Sequence, residues 1–374
     1  MRYNRLFIIF ILDAAVFLSS VSSAEPILPQ NTDVNKPEER FFFNGWYHGG
    51  KNKWRGPIHD KFIFTWITMM TTASSEKEYR QSIQQQKQNG VKYIGYYYSS
   101  TTSAPPKPAG DTTGYPEGCI PHSAINPAWV IVDKDNRPVT WPGDRYRYYL
   151  DVGLPQVQSS LLKRVIDNVH HAGVNLLYLD NWTYKFWSPG SLTVEQWTQK
   201  CLAFLKCARE LTELENMKLI VNVTAEPETW TEFAQYLDGI CYEMAAHPNR
   251  LRTVEGFERE LNGYQTVLEK GKSIFLYTDT LTYNKGRWDE DGRKVAATAL
   301  LVMPPEQPYW GGIYVASPRY EVWPVGGWPM WQRQLGNPRE KRKWQGNTVT
   351  RDFEKGEVRI TVGDEPEFKV VFKY

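Results

Sequence analysis

The sequence predicts an α/β fold, a (β/α)8 TIM barrel followed by a small C-terminal β appendage. Three observations carry that prediction. Eight short apolar runs rich in strand-forming residues recur along the chain, and helical patterns lie between most of them. After residue 318 the alternation gives way to closely spaced strand and turn signals.

The first residues are set aside before any fold reasoning. "MRYNR" is a basic start, "LFIIFILDAAVFL" an apolar stretch and "SSVSSA" a small-residue cleavage region, so residues 1–24 read as a signal peptide cut after Ala24. The apolar stretch is short for a membrane span and contains Asp13, which makes an uncleaved anchor the alternative. The expectation is a secreted or periplasmic protein with no stable membrane insertion. About 350 residues remain, enough for one large barrel with an appendage or for two ordinary domains. The barrel is assigned to residues 25–318 and the small β-rich segment to 319–374.

In order, the strand candidates are "FIFTWIT" (62–68), "KYIGYYY" (92–98), "YYLDV" (148–152), "NLLYLD" (175–180), "LIVNV" (219–223), "GICYE" (239–243), "SIFLYT" (273–278) and "GGIYVA" (311–316). They are nearly continuously apolar, without in-and-out alternation, which suits a parallel sheet covered by helices. "SEKEYRQSIQQQKQNG" and "LPQVQSSLLKRVIDNVHHAG" are helical patterns that each end in Gly, and "TVEQWTQKCLAFLKCARELTELEN" and "TWTEFAQYLD" follow later. Eight such alternations fit a closed barrel better than an open doubly wound sheet. No glycine-rich nucleotide loop follows any run, so no cofactor is expected.

Residues 99–147 form a long, Pro- and Gly-rich connection, expected to fold over the barrel mouth as a binding loop. "TVTRDFEKGEVRITVGDEPEFKVVFKY" reads as three strands with a tight "EKGE" turn, a unit short enough to need docking on the barrel.

Composition narrows the partner. Lys and Arg total 44 against 42 Asp and Glu, scattered rather than striped, which argues against nucleic acid and for a neutral or weakly charged ligand. Fifteen Trp and 22 Tyr make either a well-packed core or a groove of stacking platforms for sugar faces. The four cysteines lack zinc spacing and read as packing residues, with a disulfide from Cys119 permitted by export but not indicated. His170 and His171 are adjacent on a helix and His247 lies in a loop, so no metal is expected.

In such a barrel, chemistry sits at the carboxyl ends of the strands. The carboxylates there are Asp151, Asp180, Glu243 and Asp279, with Glu226 and Glu228 just past the fifth run. Glycosidic bond cleavage needs two carboxylates across one pocket, one to protonate the leaving oxygen and one to attack or to activate water. Asp180 and Glu243 are the candidate pair, because each closes an apolar strand where a carboxylate is costly without a function or a partner. Against this, Asp180 could cap the next helix or pair with an Arg, and Glu243 could form a rim salt bridge. Asp151, Glu226 and Asp279 position substrate or serve structure, with catalysis as the alternative for each and Asp279 or Glu226 as rivals to Glu243. Asn181, Trp182, Tyr242 and Tyr277 flank the pair as substrate-contact candidates, and Trp182 and Tyr242 either stack on sugar rings or pack the rim. Trp46, Trp66 and Tyr97 are assigned to the core or lower rim.

"YYLDVGLPQVQSSLLKRVIDNVHHAGVNLLYLDNW", "AINPAWVIVDKDNRPV" and "WQRQLGNPREKRKWQGNTVTRDFEKGEVRITV" together resemble the glycoside-hydrolase-like barrels of the endo-α-1,4-polygalactosaminidase type, glycoside hydrolase family 114, and related glycosidase families. The chain departs from the family pattern at Asn175 and Leu176, where Asp-Gly is usual, and in the spreading of an Asp-x-x-Pro turn into "YYLDVGLPQ". The resemblance implies a barrel hydrolase acting on a polysaccharide or oligosaccharide, with Asp180 and Glu243 as its catalytic pair; the working assignment takes Asp180 as nucleophile or base and Glu243 as general acid, an order the sequence leaves open. A barrel that binds glycan without cleaving it is the alternative of another class. Sugar identity, stereochemistry and oligomeric state are not written in the sequence.

Overall fold

The computed structural model describes residues 42–48, 62–68, 83–84, 87–88, 93–99, 101–103, 120, 124–141, 144–182, 188–223, 226–276, 288–304, 313–316 and 334–373. Its centre is a closed barrel of eight parallel strands: β1 (Phe42–His48), β2 (Phe62–Thr68), β3 (Tyr93–Ser99), β6 (Leu176–Trp182), β7 (Lys218–Val223), β8 (Gly239–Tyr242), β9 (Ser273–Leu276) and β10 (Ile313–Ala316). Pairing of Phe42 with Val315 and of Phe43 with Ala316 closes the ring. The signal peptide assigned to residues 1–24 lies outside the described residues.

Two strand assignments made from sequence are corrected. "YYLDV" is not a barrel strand; β5 (Asp144–Tyr148) pairs antiparallel with β4 (Thr140–Trp141) in a two-stranded sheet outside the barrel. The missing strand is β1, whose Asn44–Gly45 dipeptide imitates a turn in the sequence. The two errors cancel in the count, so Asp180 still lies on the fourth barrel strand, two residues before its end at Trp182, and Glu243 still follows the sixth.

The described part of the β3–β6 connection is a small antiparallel module rather than a bare loop. Asn126 caps a 3-10 turn at Pro127–Trp129, Leu150 N–H donates to Thr101 O at 2.9 Å, and Ile120, Ile131, Tyr149 and Leu150 are buried. Trp141 stacks on Tyr149 with ring centroids 5.6 Å apart.

The described helices are α1 (Pro155–Ala172), α2 (Val194–Leu214), α3 (Trp230–Phe233), α4 (Pro248–Leu251), α5 (Val254–Glu269) and α6 (Trp288–Val302). α2 begins at a reciprocal capping box, in which Thr193 and Gln196 side chains each accept the other's backbone N–H. None of the described helices is long and apolar enough to cross a membrane.

Strand side chains divide by parity into two layers. Leu177, Leu179, Leu219, Val221, Ile240, Tyr242, Ile274 and Leu276 join the core shared with helix residues such as Phe204, Phe257 and Leu261. Leu176, Tyr178, Ile220, Cys241 and Phe275 are equally buried but stand outside that cluster, on the face turned to the barrel interior. Cys201 and Cys241 are buried and Cys207 half-buried, all as free thiols.

The C-terminal unit is an antiparallel sheet of four strands, β11 (Lys343–Gln345), β12 (Thr348–Phe353), β13 (Gly356–Thr361) and β14 (Glu367–Phe372). It packs on the barrel's helices. Arg342 binds Glu258, Asn262 and Gln265 of α5, Trp344 Nε1 donates to Glu258 at 2.6 Å, and Arg351 donates to Leu300 O of α6 at 3.0 Å.

Candidate active site

The inward parity of three neighbouring strands runs straight to the candidate residues. On β6, Leu176 and Tyr178 lead to Asp180; on β7, Ile220 leads to Asn222; on β8, Gly239 and Cys241 lead to Glu243, one residue past the strand. Asp180 is 6 % exposed and Asn222 3 %, while Glu243 is half-buried at the rim.

Asn222 joins them. Its Nδ2 donates to Asp180 Oδ1 at 2.6 Å, and the same nitrogen donates to Glu243 Oε1. Two carboxylate acceptors fix the amide's orientation, because only its NH2 edge has protons to give. Asn222 Oδ1 is buried without a hydrogen-bond partner. A buried acceptor in that state costs about 1–3 kcal/mol. The side chain is therefore held for what its nitrogen does rather than for fold stability, a pattern that belongs to functional sites.

Beneath the pair lies Cys241, hydrogen-bonded to Tyr178. Burial pushes its thiol well above the ordinary cysteine value, the Tyr178 hydrogen bond opposes this, and the nearby Glu243 and Asp180 carboxylates raise it further. The thiol thus stays neutral and serves as floor, not nucleophile.

The substrate-contact candidates separate. Trp182 shares the parity of Asp180, yet it does not share its face. Between Leu179 and Trp182 the pairing with β7 slips, so that Leu179 opposes Val221 and Trp182 opposes Val223. One extra residue on β6 is a bulge, and it turns Trp182 outward. There the indole is fully buried with its centroid 5.8 Å from that of Phe204 on α2, so its expected place in the groove is corrected to a place in the core. Tyr242 is corrected in the same way: it is buried on the helix side of β8, edge-on to Trp230 and Tyr264.

Asp151 and Glu226 are held by cations. Asp151 Oδ2 lies 2.8 Å from Lys200 Nζ and its Oδ1 caps Gly153 N–H, which ties the start of α1 to α2. Its expectation as a strand-end ligand fails because its segment is not a barrel strand. Glu226 pairs with Arg250 of α4 and fastens the loop after β7. Tyr277, Asp279 and the side chain of Asn181 lie outside the described residues. Among the described residues, no three His, Cys, Asp or Glu side chains gather as a metal site.

Two functional features were missed from sequence. Asn222 had a readable signal, a lone amide inside the apolar run "LIVNV" one strand away from each acid. Glu260 of α5, buried behind the β8 loop, had none.

Structures of similar fold span nearly the whole chain. A noncanonic maltogenic α-amylase, AmyB, from Thermotoga neapolitana aligns over 90 % of this chain and 99 % of its own at 10 % identity, with a TM-score of 0.50. An α-amylase from Malbranchea cinnamomea aligns over 87 % and 85 % at 9 % identity, TM-score 0.50. An Anoxybacillus α-amylase aligns over 88 % and 87 % at 8 % identity, TM-score 0.50. At these identities the likeness speaks for the barrel fold alone. No curated protein sequence matches the chain significantly. A family model does, over residues 88–357, a stretch that holds Asp180, Asn222 and Glu243 and the first two strands of the C-terminal sheet. The chain belongs to the family described as hypothetical glycosyl hydrolase family 15.

Proposed function

We propose that this chain hydrolyses an O-glycosidic bond within a polysaccharide or oligosaccharide, with Asp180 and Glu243 as its two working carboxylates. The observation that carries this reading is the single Asn222 nitrogen bonded to an oxygen of each acid. Two oxygens that share one donor lie no more than about 6 Å apart, which favours the short carboxylate spacing of retaining enzymes over the wide spacing that admits a water.

In that mechanism Asp180, the more buried and amide-oriented acid, attacks the anomeric carbon as the glycosidic C–O bond breaks. Glu243, at the rim and open to proton exchange with solvent, gives its proton to the leaving oxygen. A covalent glycosyl ester on Asp180 results. Glu243, now a carboxylate, takes a proton from water as that water attacks the same carbon, which releases the sugar and restores both acids.

The resemblance of residues 148–182 and of the closing segment to the polygalactosaminidase type makes α-1,4-linked galactosaminan the first substrate to try. Export through residues 1–24 is part of this reading and would bring the enzyme to such polymers. The test incubates wild type, Asp180→Asn and Glu243→Gln with a glycan panel and analyses the products. The reading expects new reducing ends with wild type and a loss of about 10³-fold or more in each variant. Binding without product release across the panel would turn it toward a glycan-binding barrel, and full activity in either variant would sink the pairing.

A further inference from the structure

We propose that Glu260 is a positioning residue for Glu243, holding from within α5 the turn that carries that acid to the barrel mouth. The inference rests on the reading of Glu243 as one of the two working carboxylates.

The chain leaves β8 at Tyr242, presents Glu243, and turns through Met244–His247 into α4. Ala246 in this turn has φ +53°, a left-handed conformation that costs a non-glycine residue about 1 kcal/mol and persists only where surroundings impose it. Glu260 imposes it. Ala246 N–H donates to Glu260 Oε1 at 2.9 Å, and Tyr264 Oη–H donates to the same oxygen at 2.6 Å.

Glu260 is fully buried and its Oε2 has no hydrogen-bond partner. An apolar side chain of similar size would avoid that penalty but would strip the acceptor from the Ala246 N–H and the Tyr264 hydroxyl, so what Glu260 contributes is its hold on those two donors. The charged and titratable groups around it are Tyr264 on its own helix, Arg250 on α4 and, through Tyr264, Tyr242 on β8. None is a carboxylate, and Arg250 is paired with Glu226.

The same helix abuts the second site strand. A Cβ on Gly263 would come within 2.3 Å of Pro227 Cβ, so α5 presses directly on the segment that leaves β7 after Asn222. Its outer face is in turn clasped by Arg342 and Trp344 of the C-terminal unit, with Arg342 Nη2 2.9 Å from Glu258. Glu260 is thus the inward contact of a helix braced from both sides, and it holds a backbone N–H in the turn that follows Glu243.

The experiment compares wild type, Glu260→Met and Glu260→Gln by hydrogen exchange of the segment containing Ala246 and by steady-state kinetics on whichever panel glycan the wild type cleaves. Met removes the acceptor at similar volume; Gln keeps an oxygen for both donors. The expected result for Met is Ala246 exchange faster by about tenfold or more, with kcat lowered about tenfold and KM within about twofold. Gln restores both to within about threefold. If Glu260→Met does not fold, Glu260→Asp, which withdraws the carboxyl from Ala246, is expected to show the same pattern. Unchanged exchange and unchanged kcat in a folded variant would overturn the proposal, as would loss of thermal stability with kcat intact. The exchange arm reads the turn without any substrate, so a Glu243→Gln protein with full activity would remove the catalytic reading while leaving the hold on Ala246 separately decided.

Discussion

Asn222 donates one side-chain N–H to Asp180 at 2.6 Å and, from the same nitrogen, another to Glu243, and so spans two strands that do not touch each other. β7 lies between β6 and β8, and its inward amide sets the gap between the acids. Replacing Asn222 by Ala frees both carboxylates to move while also removing the unpartnered Oδ1. Hydrogen bonds to charged groups are worth about 1.5–3 kcal/mol, so kcat/KM is expected to fall roughly 10- to 100-fold. Stability should change by only about 1 kcal/mol, since one orphaned acceptor leaves with the bonds. Kinetics and a urea midpoint on the same preparation check both; retained activity would deny the amide its role.

Trp182 gives the opposite pattern. It is fully buried against Phe204, behind the strand rather than in the groove. Trp182→Ala is expected to cost about 3–5 kcal/mol of stability through the cavity it leaves. Glycan affinity of the fraction that remains folded should not change. A denaturation curve paired with a binding isotherm separates this from a sugar-stacking role, which would reduce affinity and spare the midpoint.

The contrast between these two residues shows what was legible. Apolar runs ending in acids marked β6 and the end of β8 plainly, because burial on both faces forbids a carboxylate except at a strand's end. Period-two parity along β6 puts Asp180 inward and, without the bulge, would put Trp182 beside it. The bulge that flips Trp182 depends on pairing with β7 and leaves no composition signal. β1 was hidden for a different reason, since its Asn44–Gly45 pair carries turn chemistry inside a strand that neighbours on both sides hold extended. Asp151 was misplaced because an apolar run was taken for a barrel strand when it belongs to the side module. Glu260 was invisible: in "FERELNGY" it looks like one more charge on a solvated helix, and only the landing place of the β8 turn puts it inside.

Glu260 also writes a pH dependence into the fold. Burial pushes its carboxyl up to about 7 from an ordinary 4.5, against the smaller opposing effects of its hydrogen bonds from Tyr264 and Ala246 and of the Arg250 charge. A folded-state value above the unfolded one means the folded protein binds the proton more tightly. Its stabilising effect is therefore fully present below about 4.5 and is lost as pH rises through about 7. Glu260→Gln cannot ionise, so the variant should gain on wild type by about 2 kcal/mol between pH 5 and 8, whatever the other titrating groups contribute to both. Urea midpoints of the two proteins across that range measure the difference directly. A constant offset would mean that Glu260 keeps one protonation state throughout, and a gain toward low pH would mean that Arg250 holds it ionised in the fold.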